Sequence, residues 1–302
     1  MNESIFDSNS ENKLFRELKT RWQNYVDVFP QIPVRNVIGY DRIQSQNLGG
    51  KTANFLLKSS FDFVVCELNT GIPIIVIEFD GLSGGYSREA KFYIHSLPKN
   101  DEYRKLKMET KLDLCSQFQI PMIAVSYEET DLLEKSDDYI SVLDVIIGNA
   151  LEKRDFRKHY LKYNKMLSDA YEFGGRKSME LADLEINLLN EQANPVKEKI
   201  KKITEKFPFW SGQVIFPPKN NEHLKGQFRL ASGKKIESNV RYEKVLINIE
   251  ISIRHVGISQ IDCLSIFNTV GEYCLARKAQ RLLGTDLDKW KELDEKATWT
   301  KF

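Results

Sequence analysis

Much of what would mark a familiar class of protein is missing from this chain of 302 residues. Its four cysteines, Cys66, Cys115, Cys263 and Cys274, form no CxxC pair and fall in predicted strands or helices. They read as reduced core thiols of a cytosolic protein rather than as disulfides or zinc ligands. The four histidines, His95, His159, His223 and His255, are scattered at no metal-ligand spacing. There is no P-loop, no GxGxxG ahead of a helix and no serine-nucleophile elbow, which removes the commonest nucleotide-binding and serine-hydrolase readings. No apolar run reaches the length of a membrane span, and the opening MNESIFDSNSENK is polar and acidic, so no signal peptide is expected. Charge of one sign is also lacking: the formal net charge of +1 decides nothing about nucleic acid, because a basic face can hide in a neutral total.

What is present is an apolar pair of strands that ends in acid. Phe61–Gly81 reads FDFVVCELNTGIPIIVIEFDG, two strands joined by a turn at Asn69-Thr70-Gly71. Side chains alternate along a strand, so Ile74, Val76, Glu78 and Asp80 share one face while Ile75, Ile77 and Phe79 share the other. Being apolar on both faces predicts a sheet buried on both sides. Two carboxylates, Glu78 and Asp80, close the second strand, and Asp62 lies in the first. Buried carboxylates are costly unless a cation compensates them, and a divalent ion such as Mg²⁺, held by carboxylate oxygens and water, is the natural one. The simpler alternative puts Glu78 and Asp80 just past the buried segment, facing water.

Around this pair the chain reads in order. Ser8 and Glu11 fit a capping box at the start of a first helix, and Glu11, Phe15 and Leu18 recur at helical spacing. Glu11 therefore lies on or beside the apolar face, or only caps the helix. Val26–Ile32 and 33–40 read as extended, a first strand with an irregular lead-in, and 44–53 as a loop. After a long connection over 82–100 comes a helix at 101–118, with Met108, Leu112, Cys115 and Phe118 as its stripe and Lys107 and Lys111 on one side. A lysine bordering such a stripe ordinarily snorkels to solvent. A strand at 120–127 follows, and a helical crossover of this kind predicts that it runs parallel to the strand before the helix.

This order and these residues resemble the PD-(D/E)XK nuclease superfamily, in particular its very-short-patch-repair-like branch. The matching pieces are Glu11 in the first helix, Asp62-Phe63, Ile77-Glu78-Phe79-Asp80-Gly81, and Gln119-Ile120-Pro121. The resemblance covers roughly residues 8–128. It implies a restriction-endonuclease-like αβββαβ core and Mg²⁺- or Mn²⁺-dependent hydrolysis of DNA phosphodiester bonds. Asp62, Glu78 and Asp80 would hold the metal. Lys111, with Lys107 as runner-up, would supply the basic group, and Glu11 would complete the catalytic set. The chain has Leu82-Ser83-Gly84-Gly85 where relatives often carry a histidine, and Met108 where they tend to carry an aspartate.

The remainder predicts a helical linker, 136–194, then a smaller α+β accessory domain, 195–302, after the nuclease-like domain of 1–135. The linker carries Lys153, Arg154, Arg157, Lys158, Lys162 and Lys165, a solvated face or a set of phosphate contacts. Gly174-Gly175 breaks it. Beyond Val196, strands are expected at 212–216, 226–230, 235–240 and 244–254, with a hairpin turn at Ser232-Gly233 and a last helix at 261–283. Interleaved aromatics from Phe207 to Tyr242 suit either a core or nucleic-acid contact. The expected partner is DNA, with RNA as an alternative and with a homodimer or partner subunit for cutting both strands. No membrane partner is expected. The competing reading is a nuclease-like module that binds or assembles without cutting.

Overall fold

The computed structural model describes residues 6, 8–45, 50–79, 86–87, 92–93, 101–125, 140–206, 212–216, 223–230, 233–236, 239–242, 249–254, 263–282, 284, 286 and 288. The protein is mixed α/β and divides into two compact units, Met1–Asp131 with Arg254–Asp262, and Leu132–Ile253 with Cys263–Phe302. Among the described residues no helix is long and apolar enough to cross a membrane.

In the first unit, helix α1 (Asn9–Trp22) starts at Ser8, whose side chain accepts the Glu11 N–H, and it buries Leu14, Leu18 and Trp22. Strands β1 (Val26–Pro33), β2 (Ser60–Glu67), β3 (Pro73–Phe79) and β6 (Met122–Val125) form one sheet in the order β1-β2-β3-β6. The first three run antiparallel, and β3 pairs with β6 in parallel. Between β3 and β6 lie the short strands β4 (Tyr86–Ser87) and β5 (Phe92–Tyr93) and helix α5 (Asp101–Gln117). Val64, Val65, Ile75, Val76 and Ile77 are all buried, so both faces of the central strands are covered, as their uninterrupted apolar sequence requires. The β2–β3 turn has Asn69 and Gly71 at positive φ, where Gly and Asn are the residues best tolerated.

Two expectations are corrected here. Of residues 33–40, only Pro33 is extended, at the end of β1: α2 (Val34–Ile38) and α3 (Tyr40–Gln44) are helical. Val34 and Ile38 are a buried i,i+4 pair, and the run of valine and isoleucine imitates a strand only when that spacing is ignored. The segment expected as a loop over 44–53 contains the first turn of α4 (Gly50–Lys58), which Leu56 anchors in the core.

In the second unit, α6 (Val142–Gln192) is followed by α7 (Pro195–Thr204). Strands β7 (Gly212–Phe216), β8 (His223–Leu230) and β11 (Ile249–Arg254) form a sheet in the order β11-β8-β7, and β9 (Gly233–Ile236) pairs with β10 (Asn239–Tyr242). Ser232, of the turn expected at Ser232-Gly233, lies outside the described residues; the strands on either side pair with others, β8 with β7 and β11, and β9 with β10. Helix α8 (Cys263–Leu282) packs on α6, α7, β7 and β8. The side chains of Phe207, Phe209, Trp210, Phe216, Phe228 and Tyr242 lie outside the described residues.

The long helix reverses direction. A straight helix would hold Asn149 and Asn194, which are 45 residues apart, about 65 Å from each other. Instead, Asn194 Nδ2 donates to Asn149 Oδ1 at 3.3 Å and to Glu152 Oε2 at 3.0 Å, and Lys197 Nζ lies 2.8 Å from Glu152 Oε1. The residue with non-helical angles inside α6 is Gly175, at φ 65° and ψ −158°, a conformation nearly confined to glycine. Residues 142–174 and 176–204 are thus two arms of a hairpin, with Tyr163 and Ile186 buried along otherwise exposed stretches.

Candidate active site

The sheet brings the acids together through its register. Phe63 pairs with Ile77, so one step further along the two strands Asp62 stands opposite Glu78, on the same face of the sheet. Asp62 Oδ2 accepts the backbone N–H of Phe79 at 2.8 Å, which ties the first carboxylate to the strand that carries the second. Glu78 is buried, 6 % exposed, near the end of a strand whose other inner residues are apolar. Such a carboxylate needs a cation.

Lys111 provides it. Its side chain does not snorkel: it points from α5 into the core and is 1 % exposed. Nζ lies 2.7 Å from Glu78 Oε1 and donates to the Ser60 carbonyl at 2.6 Å, while the Phe61 ring centroid is 5.4 Å away. The ammonium therefore joins α5, β2 and β3 at one point. Its charge-assisted bonds are short, as ionised partners produce, and the face of Phe61 adds a cation–π contact. Cys115, one helical turn on, is fully buried, and burial, reinforced by the Glu78 charge against the opposing effect of Lys111, pushes its thiol far above the ordinary range. The Cys66 thiol is pushed up to about 11, by burial first and by Asp27 second. Neither thiol has the thiolate character a nucleophile needs.

Glu11 is drawn into the same neighbourhood by a residue the sequence did not single out. Gln31 Nε2 donates to Glu11 Oε2 at 3.4 Å and to Asp62 Oδ1 at 3.5 Å, and Ser8 Oγ donates to Glu11 Oε1 at 3.3 Å. Glu11 is itself buried at 8 % exposure, so its side chain serves this cluster while its backbone N–H is capped by Ser8. Gln31 has φ 51°, in the left-handed region. The ladder passes from Pro30↔Phe63 to Ile32↔Phe61 without pairing Gln31. Pro30 and Pro33 have no N–H to donate, which suits β1 to the sheet edge. A non-glycine residue held at positive φ stores strain, and such residues gather at functional sites.

Of the residues expected to act, Glu11, Asp62, Glu78 and Lys111 are thus joined by hydrogen bonds or register. Asp80 and the side chain of Lys107 lie outside the described residues. Among the described residues no group of three or more His, Cys, Asp or Glu is arranged to hold a metal ion. Gln31 had one weak sequence signal, its position in the Pro30-Gln31-Ile32-Pro33 segment, where a regular ladder cannot persist.

No curated protein and no solved structure matches this chain. Residues 3–143, which contain every candidate site residue, are similar to a family described as "Protein of unknown function (DUF2726)".

Proposed function

We propose that the protein is a metal-dependent nuclease that hydrolyses DNA phosphodiester bonds, with a restriction-endonuclease-like core in its first unit. The observation that supports this most is the buried Lys111–Glu78 pair, 2.7 Å apart, on the strand face that Asp62 shares. A lysine beside carboxylates able to hold a metal is a combination suited to phosphodiester hydrolysis. The hard carboxylate oxygens of Asp62 and Glu78 suit Mg²⁺ or Mn²⁺, with Asp80 as the further oxygen donor. Such an ion supplies charge neutralisation at the phosphoryl group and a more acidic bound water. Lys111 offsets the Glu78 carboxylate in an apolar setting and would put a positive charge beside the phosphoryl group as negative charge gathers there. Gln31 holds Glu11 and Asp62 on one side through a neutral amide, without adding charge.

A second reading has a specific observation behind it. Lys111 Nζ already makes two short bonds within the core, which also suits a pin between α5 and the sheet in a module that binds without cutting. Cleavage of labelled single- and double-stranded DNA in Mg²⁺ or Mn²⁺ separates the two. Wild type should cut, and Glu78→Gln, which keeps the shape and loses the charge, should lower the rate by at least about 100-fold, the scale of removing one transition-state electrostatic group. Wild type that binds DNA but cuts none of it with either metal would leave the pin reading standing instead.

A further inference from the structure

Exposed apolar side chains occur on both arms of the hairpin, but they are arranged differently. On the first arm, Phe156 is in ring contact with Tyr160 and with Tyr163, at centroid distances of 6.1 and 5.7 Å. On the second arm, leucines form a row. Leu181, Leu184 and Leu188 are 60 %, 58 % and 54 % exposed. At 3.6 residues per turn they fall within an arc of about 60°, on the side of the helix opposite the buried Ile186. Their spacing of three and then four residues is that of a coiled-coil seam. Single exposed leucines are ordinary; a contiguous row marks a contact surface.

The row runs into a groove. Leu188 and Gln192 on the second arm, with Lys197, Glu198, Lys201 and Lys202 on α7, line a hollow of about 490 Å³. At the other end of the row stands the tip of the hairpin, where Phe173 is 85 % exposed. Tip and groove are equally far from the middle of the row. Arg176, the first residue past the reversal, and Gln192, in the groove, each lie eight residues from Leu184, about 12 Å along the helix.

Such a surface is complementary to itself. A second copy laid antiparallel about Leu184 sets Leu181 over the other copy's Leu188, Leu184 over its own equivalent, and each tip at the mouth of the other's groove. A parallel copy would leave both grooves empty. It would also set Lys177, which falls in the same arc, against its own equivalent, like charge on like. The area suffices: the three leucines and Phe173 offer about 500 Å² of apolar surface per copy, so about 1,000 Å² for a pair, where specific interfaces begin.

We propose that the protein forms a homodimer through the second arm, with the leucine row as an antiparallel seam and Phe173 of each copy seated in the groove of the other. This goes beyond the nuclease reading and does not rest on it.

Sedimentation velocity on the full chain over a dilution series, without metal or DNA, tests it. Wild type should pass from one chain of 35.1 kDa to twice that mass as concentration rises. Leu184→Glu should weaken association by about tenfold or more, and Phe173→Ala by about tenfold, the scale of losing a central anchor. Circular dichroism and thermal melting check folding. Phe173 is so exposed that its alanine variant reads the interface even where Leu184→Glu unfolds. Orientation is read by disulfide formation: an equimolar mixture of Leu181→Cys and Leu188→Cys chains should cross-link faster than either chain alone, with wild type as the control for the native thiols. Wild type that stays monomeric at every concentration overturns the proposal; if it then binds DNA or phosphatidylserine vesicles and Leu184→Glu does not, the row belongs to that ligand instead. A dimer unchanged in folded Leu184→Glu or in Phe173→Ala overturns it too, and so does cross-linking as fast in either chain alone as in the mixture. Wild type that dimerises yet never cuts DNA retires the nuclease and keeps the dimer. Wild type that cuts as a monomer does the reverse.

Discussion

Gln31 holds two acids with one amide from a backbone conformation it would not choose freely. A non-glycine residue in the left-handed region costs roughly 1–2 kcal/mol, so the strain and the side-chain bonds can be separated by substitution. Gln31→Gly removes the strain and the amide together; Gln31→Ala removes only the amide. Gln31→Gly should therefore be more stable than Gln31→Ala by about 1 kcal/mol in urea unfolding. Both should show the same loss of metal-dependent cleavage, because both leave Glu11 and Asp62 without their bridge. Equal stability of the two variants would mean the backbone at this position carries no strain. The acids and the lysine were legible in the sequence because buried strands rarely end in paired carboxylates, and because a resemblance gave the lysine a role. Lys111 read alone would have been sent to solvent, since helix periodicity cannot report that Glu78 and the Ser60 carbonyl wait beneath it. Gln31 was not legible: its role exists only through the register of β1 on β2, which joins residues 31 apart.

At the scale of elements, the base of the hairpin depends on one buried amide. Asn194 caps α7 by accepting the N–H groups of Val196 and Lys197, and it donates to Asn149 and Glu152 on α6. Gly148 makes room for it: a Cβ there would clash with Asn194 Oδ1 and come within 3.2 Å of Val196. Gly148→Ala normally favours a helix by about 1 kcal/mol. Here it should destabilise by about 2 kcal/mol, through loss of the cap and of a buried hydrogen bond. Thermal unfolding monitored at 222 nm checks the sign, and a stabilised variant would refute the account. The helix break at Gly174-Gly175 could be seen in the sequence, but the direction taken after it could not. The contacts of Asn194 and Lys197 with Asn149 and Glu152, far apart in the chain, show that the arms fold back.

For the whole molecule, a net charge near neutrality conceals an uneven spread: Glu11, Asp62 and Glu78 gather in the first unit, and six cations fall between Lys153 and Lys165 in the second. If the cluster holds a divalent ion in the folded state alone, that ion raises stability by about 2.7 kcal/mol at 100 times its dissociation constant. The melting temperature should therefore climb with Mg²⁺ or Mn²⁺ and fall back in EDTA. Asp62→Asn should blunt that response while leaving the response to added DNA in EDTA intact. A melting temperature indifferent to both metals would remove the ion from the account of the first unit. The strands β1, β2, β3 and β6 of the first unit and the helices α1 and α5 were readable from alternation, periodicity and turn residues, whereas α2, α3 and the start of α4 were not. The pairing in the second unit was not, because β8 and β9 are separated by a plausible turn and nothing local tells them to seek other partners.

The reversal at Gly175 also makes the hairpin a lever. From Glu152, where the polar network grips its base, to Gly174 the first arm projects about 33 Å. A tilt of only about 5° at that base would sweep the tip through about 3 Å. The stiffness of a few hydrogen bonds around Asn194 thus sets how far the distant tip wanders.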